Sequence, residues 1–135
     1  MNILVIHGPN MNLLGLRNLG KNGRLTLSKI NTKIRLLARE KKFKIKIIQN
    51  NSESKIVSYI HRNRKKIDFI IMAPETWAKN GYLIMETLEL TKIPSYFIST
   101  KKEKVKFNAM NQPNVQFYDE NYIDAYLESI RAIST

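Results

Sequence analysis

The residues best suited to chemistry lie near the start of the chain. The apolar run ILVI at residues 3–6 leads into HGPNMNLLGLRN at 7–18, a Gly-Pro-Asn turn with two further asparagines and one arginine. Amide side chains both donate and accept, and a guanidinium offers a planar fork of donors, so this mixture fits a small anion rich in oxygen. Asn12 and Arg17 are the candidate holders of such an anion. A simpler role competes, in which they brace their own loop by hydrogen bonds to its backbone. His7 stands where strand gives way to loop, and a surface or loop-packing role is favoured there over catalysis. The chain has no cysteine, and His7 and His61 are its only histidines, so thiolate chemistry is excluded and a metal site is not expected.

A loop of this kind needs a strand end to hold it, and strand and helix patterns alternate along the sequence. NILVI (2–6) reads as a buried parallel strand. Ile30, Ile34 and Leu37 fall at helical spacing within 26–41, with Thr26 or Ser28 as the cap. FKIKIIQ (43–49) sets Phe43, Ile45 and Ile47 against lysines, the mark of a strand at an exposed edge. Ile56, Val57 and Ile60 predict a helix over 52–65, and Asn51 or Ser52 is its cap. IDFIIMAP (67–74) reads as a central strand, followed by a helix over about 80–91, a strand at 93–98, a polar basic loop, a strand at 114–118 and a terminal helix. That last helix starts near Glu120 and carries Ile123, Leu127 and Ile130 for burial. The order implies one domain over 1–135. Its class is α/β, a flavodoxin-like, doubly wound, five-stranded parallel sheet with helices on both faces. In such folds ligands sit beyond the carboxyl ends of the strands, so the loops at 7–25, 49–53, 73–80 and 99–113 would build any site.

Composition narrows the partners. A chain of 135 residues with 43% hydrophobic content can bury a core, and no run is long enough to span a bilayer, so a cytoplasmic protein without membrane contact is expected. The net charge of +12 would suit a polyanion, but Lys, Asn and Ile are abundant throughout and a solvated lysine-rich surface is the favoured explanation. HRNRKK (61–66) fits a solvated helix end whose charge suits the helix dipole. KKEKVK (101–106) reads as an exposed loop. Were these two runs to converge, a phosphate-binding face would become credible; neither is interleaved with aromatics, so stacking of single strands is not signalled.

Taken together, ILVIHGPNMNLLGLR, QNNSES after the second strand, IVSYIH, the proline ending the third strand and IPSYFIS resemble the type II 3-dehydroquinate dehydratases along nearly the whole chain. The last 35 residues or so match only in pattern. The resemblance implies a cofactor-free anti elimination of water from a cyclic hydroxy-keto acid in the shikimate pathway, and assembly into trimers and dodecamers. In that family a tyrosinate beside an arginine removes the proton next to the ketone. An asparagine positions a water that supports the enolate, and a histidine protonates the departing hydroxyl.

Carried over position by position, the pattern is only partly kept. Arg17 and Asn12 match the family's loop arginine and asparagine. Asn22 stands where the base tyrosine belongs, and an amide cannot take a proton from carbon. Ala73 replaces the water-positioning asparagine, Lys79 a nearby histidine, Ser99 the general-acid histidine and Phe97 the carboxylate that orients it. Thr100 follows in the substrate-binding loop, whose clamping arginine has no secure match, although Lys104 or Lys106 could supply charge. Gln49, Asn51 and Glu53 match a second family loop in which Ser52 replaces a histidine. Trp77 is expected to fill the mouth of the emptied site. The first expectation is a silent relative of the dehydratase that forms homo-oligomers. The alternatives are a divergent but active dehydratase, an enzyme for another small anionic molecule held by Arg17 and Lys79, and a basic module for RNA or another polyanion, which is less favoured.

Overall fold

The computed structural model describes residues 1–17, 25–99, 114–119 and 121–133, with Arg17, Ser99 and Val115–Asp119 described by their backbone. Asn22, Thr100, Lys104 and Lys106 lie outside the described residues, as does the 101–106 run. The strands are β1 (Asn2–His7), β2 (Lys44–Gln49), β3 (Phe69–Ala73), β4 (Ser95–Ser99) and β5 (Val115–Asp119). The helices are α1 (Leu14–Arg17), α2 (Leu27–Glu40), α3 (Glu53–Asn63), α4 (Trp77–Asn80), α5 (Tyr82–Thr91) and α6 (Tyr122–Ile133), with 3₁₀ turns at Met11–Leu13 and Arg64–Lys66. All strand pairs are parallel, and the sheet order β2-β1-β3-β4-β5 is the flavodoxin-like, doubly wound arrangement.

Strand periodicity divides the core into two layers. Leu4 and Ile6 of β1 with Ile70 and Met72 of β3 face α3 and α5, where they meet Ile56, Ile60, Ile84 and Leu88. Ile3 and Val5 with Ile71 and Ala73 face α2 and α6. Both faces of β1 and β3 are therefore covered, which is why their sequences are almost wholly apolar. β2 is an edge, as its lysines indicate: Lys44 and Lys46 are exposed, while Ile45 and Ile47 pack toward α2.

The caps fall where polar residues precede apolar helical stripes. Thr26 accepts from the Lys29 amide at the start of α2, and Ser52, rather than Asn51, accepts from the Lys55 amide at the start of α3. In α6 Ile130 is buried as expected, but the rest of the buried face is turned from the expected one. Tyr122, Ala125, Tyr126, Ser129, Ile130 and Ile133 are buried, whereas Ile123 and Leu127 are only partly covered. Aliphatic spacing alone misses this, because two tyrosines four residues apart carry the buried stripe.

Candidate functional site

The strand order reverses between β1 and β3, and their carboxyl ends make the centre of the rim. His7 is level with Ala73 across the pair, and the Gly8 N–H donates to the Ala73 carbonyl at 2.8 Å. A Cβ on Gly8 would lie 2.5 Å from the Ala73 oxygen and 2.7 Å from that of Pro74, so only glycine allows the two backbones to meet. Beyond this closure Asn10 takes a left-handed conformation (φ 65°), and Met11–Leu13 and α1 follow.

The neighbouring β2 loop holds this turn in place. The Asn51 Oδ1 accepts from the Asn10 N–H at 2.9 Å and from the Gln49 Nε2 at 3.1 Å, and Gln49 Nε2 also donates to the Gly8 carbonyl at 3.2 Å. Glu53 turns to α5, where its carboxylate accepts from the Ile84 N–H at 3.1 Å. These residues brace the loops.

Below the rim, the odd-numbered residues of β1 point at α2 and α6, and His7 occupies the place that an isoleucine would continue. It is fully buried, which corrects the expectation of a surface place. Its Nε2 lies 2.7 Å from Asn31 Oδ1 and its Nδ1 2.7 Å from the Tyr126 hydroxyl. Because Asn31 presents an acceptor, Nε2 carries the hydrogen and Nδ1 accepts from the phenol. Burial lowers the imidazole pKa to about 4; the Asn31 hydrogen bond opposes this and the Arg35 charge adds to it. Burial first, then Tyr122 and Glu75, push the Tyr126 phenol well above its ordinary value, so it remains a donor. At the rim the Tyr122 hydroxyl donates to the carboxyl of Glu75, which is buried and has a left-handed backbone (φ 53°). The sequence reading missed both arrangements. The spacing of Tyr122 and Tyr126 was the available signal.

The sequence-derived site residues are distributed around this rim. Asn12 is exposed in the 3₁₀ turn and borders an opening with Leu16 and Thr26. Arg17 ends α1. Ala73 ends β3 and is buried in the α2/α6 layer. Ser99 ends the adjacent β4, opposite Asp119. Lys79 is exposed on α4. Phe97 is wholly buried in the other layer, beside Met72. Trp77 packs in that same core layer, which corrects its placement in the mouth. Among the described residues no group of His, Asp, Glu or Cys side chains is arranged to hold a metal ion, and no helix is long and apolar enough to cross a membrane.

The family model "Dehydroquinase class II" matches residues 1–129. The chain is 38% identical over 94 residues to the 3-dehydroquinate dehydratase of Clostridium botulinum strain 657, covering 70% of this chain and 64% of that protein. It is 34% identical over 92 residues to the Haemophilus influenzae 3-dehydroquinate dehydratase, covering 68% and 62% respectively. The match thus spans slightly less than two thirds of these relatives. The type II dehydroquinase structure from Butyrivibrio crossotus superposes with a TM-score of 0.87 at 22% identity, covering 100% of this chain and 98% of the other. A 3-dehydroquinate dehydratase-like protein from Bifidobacterium longum gives 0.64 at 14% identity, with 99% and 95% covered. At these identities the two structures show a shared fold.

Proposed function

The chain belongs to the class II dehydroquinase family, and from that premise we propose that it has kept the family's fold while losing most or all of the dehydration of 3-dehydroquinate. Phe97 carries the reading. In the place of the carboxylate that would orient a general acid, it is fully buried in an apolar core layer, and its side chain has no hydrogen-bond acceptor. Ser99, in the place of the acid itself, has a hydroxyl too weakly acidic to protonate a departing hydroxide at neutral pH. Asn22 cannot serve as a base, and Ala73 offers a methyl group where a water would be held.

Loss of one member of a cooperating set removes orders of magnitude in rate, and the remaining losses then add little. Glu75 bears on the same conclusion, because a carboxyl group at the rim opposes an anionic substrate by charge or by desolvation. Asn12 and Arg17 are left to brace the first loop or to hold a different small anion, with Lys79 as a further cation. On this reading the protein is a single-domain, cofactor-free, cytoplasmic homo-oligomer of the trimer or dodecamer type.

The test is turnover of 3-dehydroquinate, followed through the ultraviolet absorbance of the enone product, with the Clostridium botulinum relative assayed alongside. Turnover at background is expected, with a measurable gain in an Asn22→Tyr, Ala73→Asn, Ser99→His variant. A wild-type rate within about tenfold of the relative, which is about 1.4 kcal/mol in barrier, would overturn the reading.

A further inference from the structure

A trough of positive charge runs along the open edge of the sheet. Ile56 and Ile60 of α3 share a core layer with Leu4 and Ile6 of β1, and clefts of about 320 and 530 Å³ lie between α3 and β2 at its border. Lys44, Lys46 and Lys66 line the first; Lys55 and Arg62 line the second; Tyr59 lines both and joins them. No carboxylate lines either cleft.

The convergence follows from two periodicities. Lys44 and Lys46 are two residues apart on a strand, hence on one face and roughly 7 Å apart. Lys55, Tyr59, Arg62 and Lys66 recur at intervals of four, three and four, one stripe of α3 and its 3₁₀ extension, about 17 Å long. All five cationic side chains are exposed, and among the described residues none is in an ion pair. Of two carboxylates close by in sequence, Glu53 caps α5, and Asp68 accepts from the N–H of Asn2 at the border of the first cleft. Lysines on an edge strand discourage edge-to-edge pairing, which accounts for Lys44 and Lys46. It gives no reason for the α3 stripe to bring three more cations to the same clefts.

We propose that this trough binds single-stranded nucleic acid, with phosphates following the two rows of cations and a base resting on the half-buried ring of Tyr59. Facing rows of cations suit a linear polyanion better than a single phosphate, and the aromatic ring at their junction favours a chain that carries bases. A duplex keeps its bases stacked inside and has none to offer Tyr59. Neither cleft is lined by Asn12, Ala73 or Lys79, although the second reaches Gln49 and Asn50 at the end of β2, so the inference stands whether or not the dehydratase reading does.

The experiment is fluorescence anisotropy of a labelled oligouridylate of about ten nucleotides, titrated with the full chain over a range of salt. Neutralising five phosphates predicts that log affinity falls with log salt with a slope of about −3.5. Lys44→Glu/Lys46→Glu and Arg62→Glu/Lys66→Glu should each weaken binding at least about tenfold at low salt. Lys33→Glu/Arg39→Glu makes the same change in net charge on exposed positions of α2, across the sheet, and should change affinity less than about twofold. Tyr59→Leu should weaken oligouridylate about tenfold and leave inorganic polyphosphate unaffected. Thermal melts establish that each variant is folded. The proposal is overturned by absent binding at low salt, by equal losses in the α2 control, by indifference to Tyr59→Leu, or by tighter binding of duplex.

Discussion

The Tyr126 hydroxyl donates to Nδ1 of His7 at 2.7 Å inside the layer between the sheet and α2/α6, and so holds a buried, neutral imidazole. The folded pKa of about 4 lies below the unfolded value near 6.5. The unfolded chain therefore binds the extra proton first as pH falls, and stability rises with pH across that window. The contribution is complete above about pH 6.5 and is lost as pH drops toward 4, on the order of 3 kcal/mol in all. Urea denaturation at pH 7 and pH 4.5 should show this loss in the wild type. In His7→Gln the part due to this group should vanish; an unchanged pH slope in that variant would remove His7 as the cause.

Gly8→Ala should destabilise the chain by about 1–3 kcal/mol, because the new methyl meets two backbone carbonyls that cannot rotate away. The loss should be accompanied by faster exchange of the Gly8 amide, now unable to reach the Ala73 oxygen. A variant as stable as wild type would mean that β1 and β3 do not close on each other at this rim.

Asn51 ties the β1 turn to the β2 loop through one oxygen that accepts from both Asn10 and Gln49. Asn51→Ala should cost about 1 kcal/mol and expose the Asn10 amide to hydrogen exchange. Asn51→Asp keeps an acceptor in the same position, so protection of that amide should return. Equal exchange in both variants would assign the turn's order to its own backbone bonds.

Strands were legible where a physical constraint acts on consecutive residues. Ile70, Ile71 and Met72 had to be apolar because both faces of β3 are covered, and Lys44 and Lys46 marked β2 as an edge. Side chains whose partners are remote in sequence were not legible. His7 looks polar and terminal, yet the period of two points it at Tyr126, 119 residues away. The face of α6 was misjudged because Tyr122 and Tyr126 carry hydroxyls and do not read as core. Trp77 belongs by sequence to the loop after β3 and hence to the mouth, whereas its ring packs into the α3/α5 layer. Nothing local marks Glu75 as left-handed. The site positions rest on motif matching, and the structure adds where the described ones lie: Ala73 at the centre of the rim, Phe97 in the core, Asn12 and Lys79 exposed.

The bond from Tyr122 to Glu75 joins the first turn of α6 to the exit of β3 across the rim. Two unfavourable features meet at Glu75, a left-handed backbone that costs a non-glycine residue about 1–2 kcal/mol and the burial of a carboxyl group. A hydrogen bond to a carboxylate offsets them by about 1.5–3 kcal/mol. Glu75→Gly removes the backbone strain together with the bond, whereas Tyr122→Phe removes only the bond. The single variants and their combination should therefore show a coupling of about 1.5–3 kcal/mol, with Glu75→Gly more favourable in the Tyr122→Phe background than in the wild type. Additive losses would mean that the two side chains do not stabilise one another. The same variants bear on ligand choice. If Glu75 opposes anions at the rim, Glu75→Gln should bind a cyclic hydroxy acid such as quinate about tenfold more tightly than wild type by calorimetry, since it keeps an acceptor for Tyr122 while removing the charge. Equal affinity in the two proteins would show that Glu75 holds α6 to the sheet and takes no part in selecting a ligand.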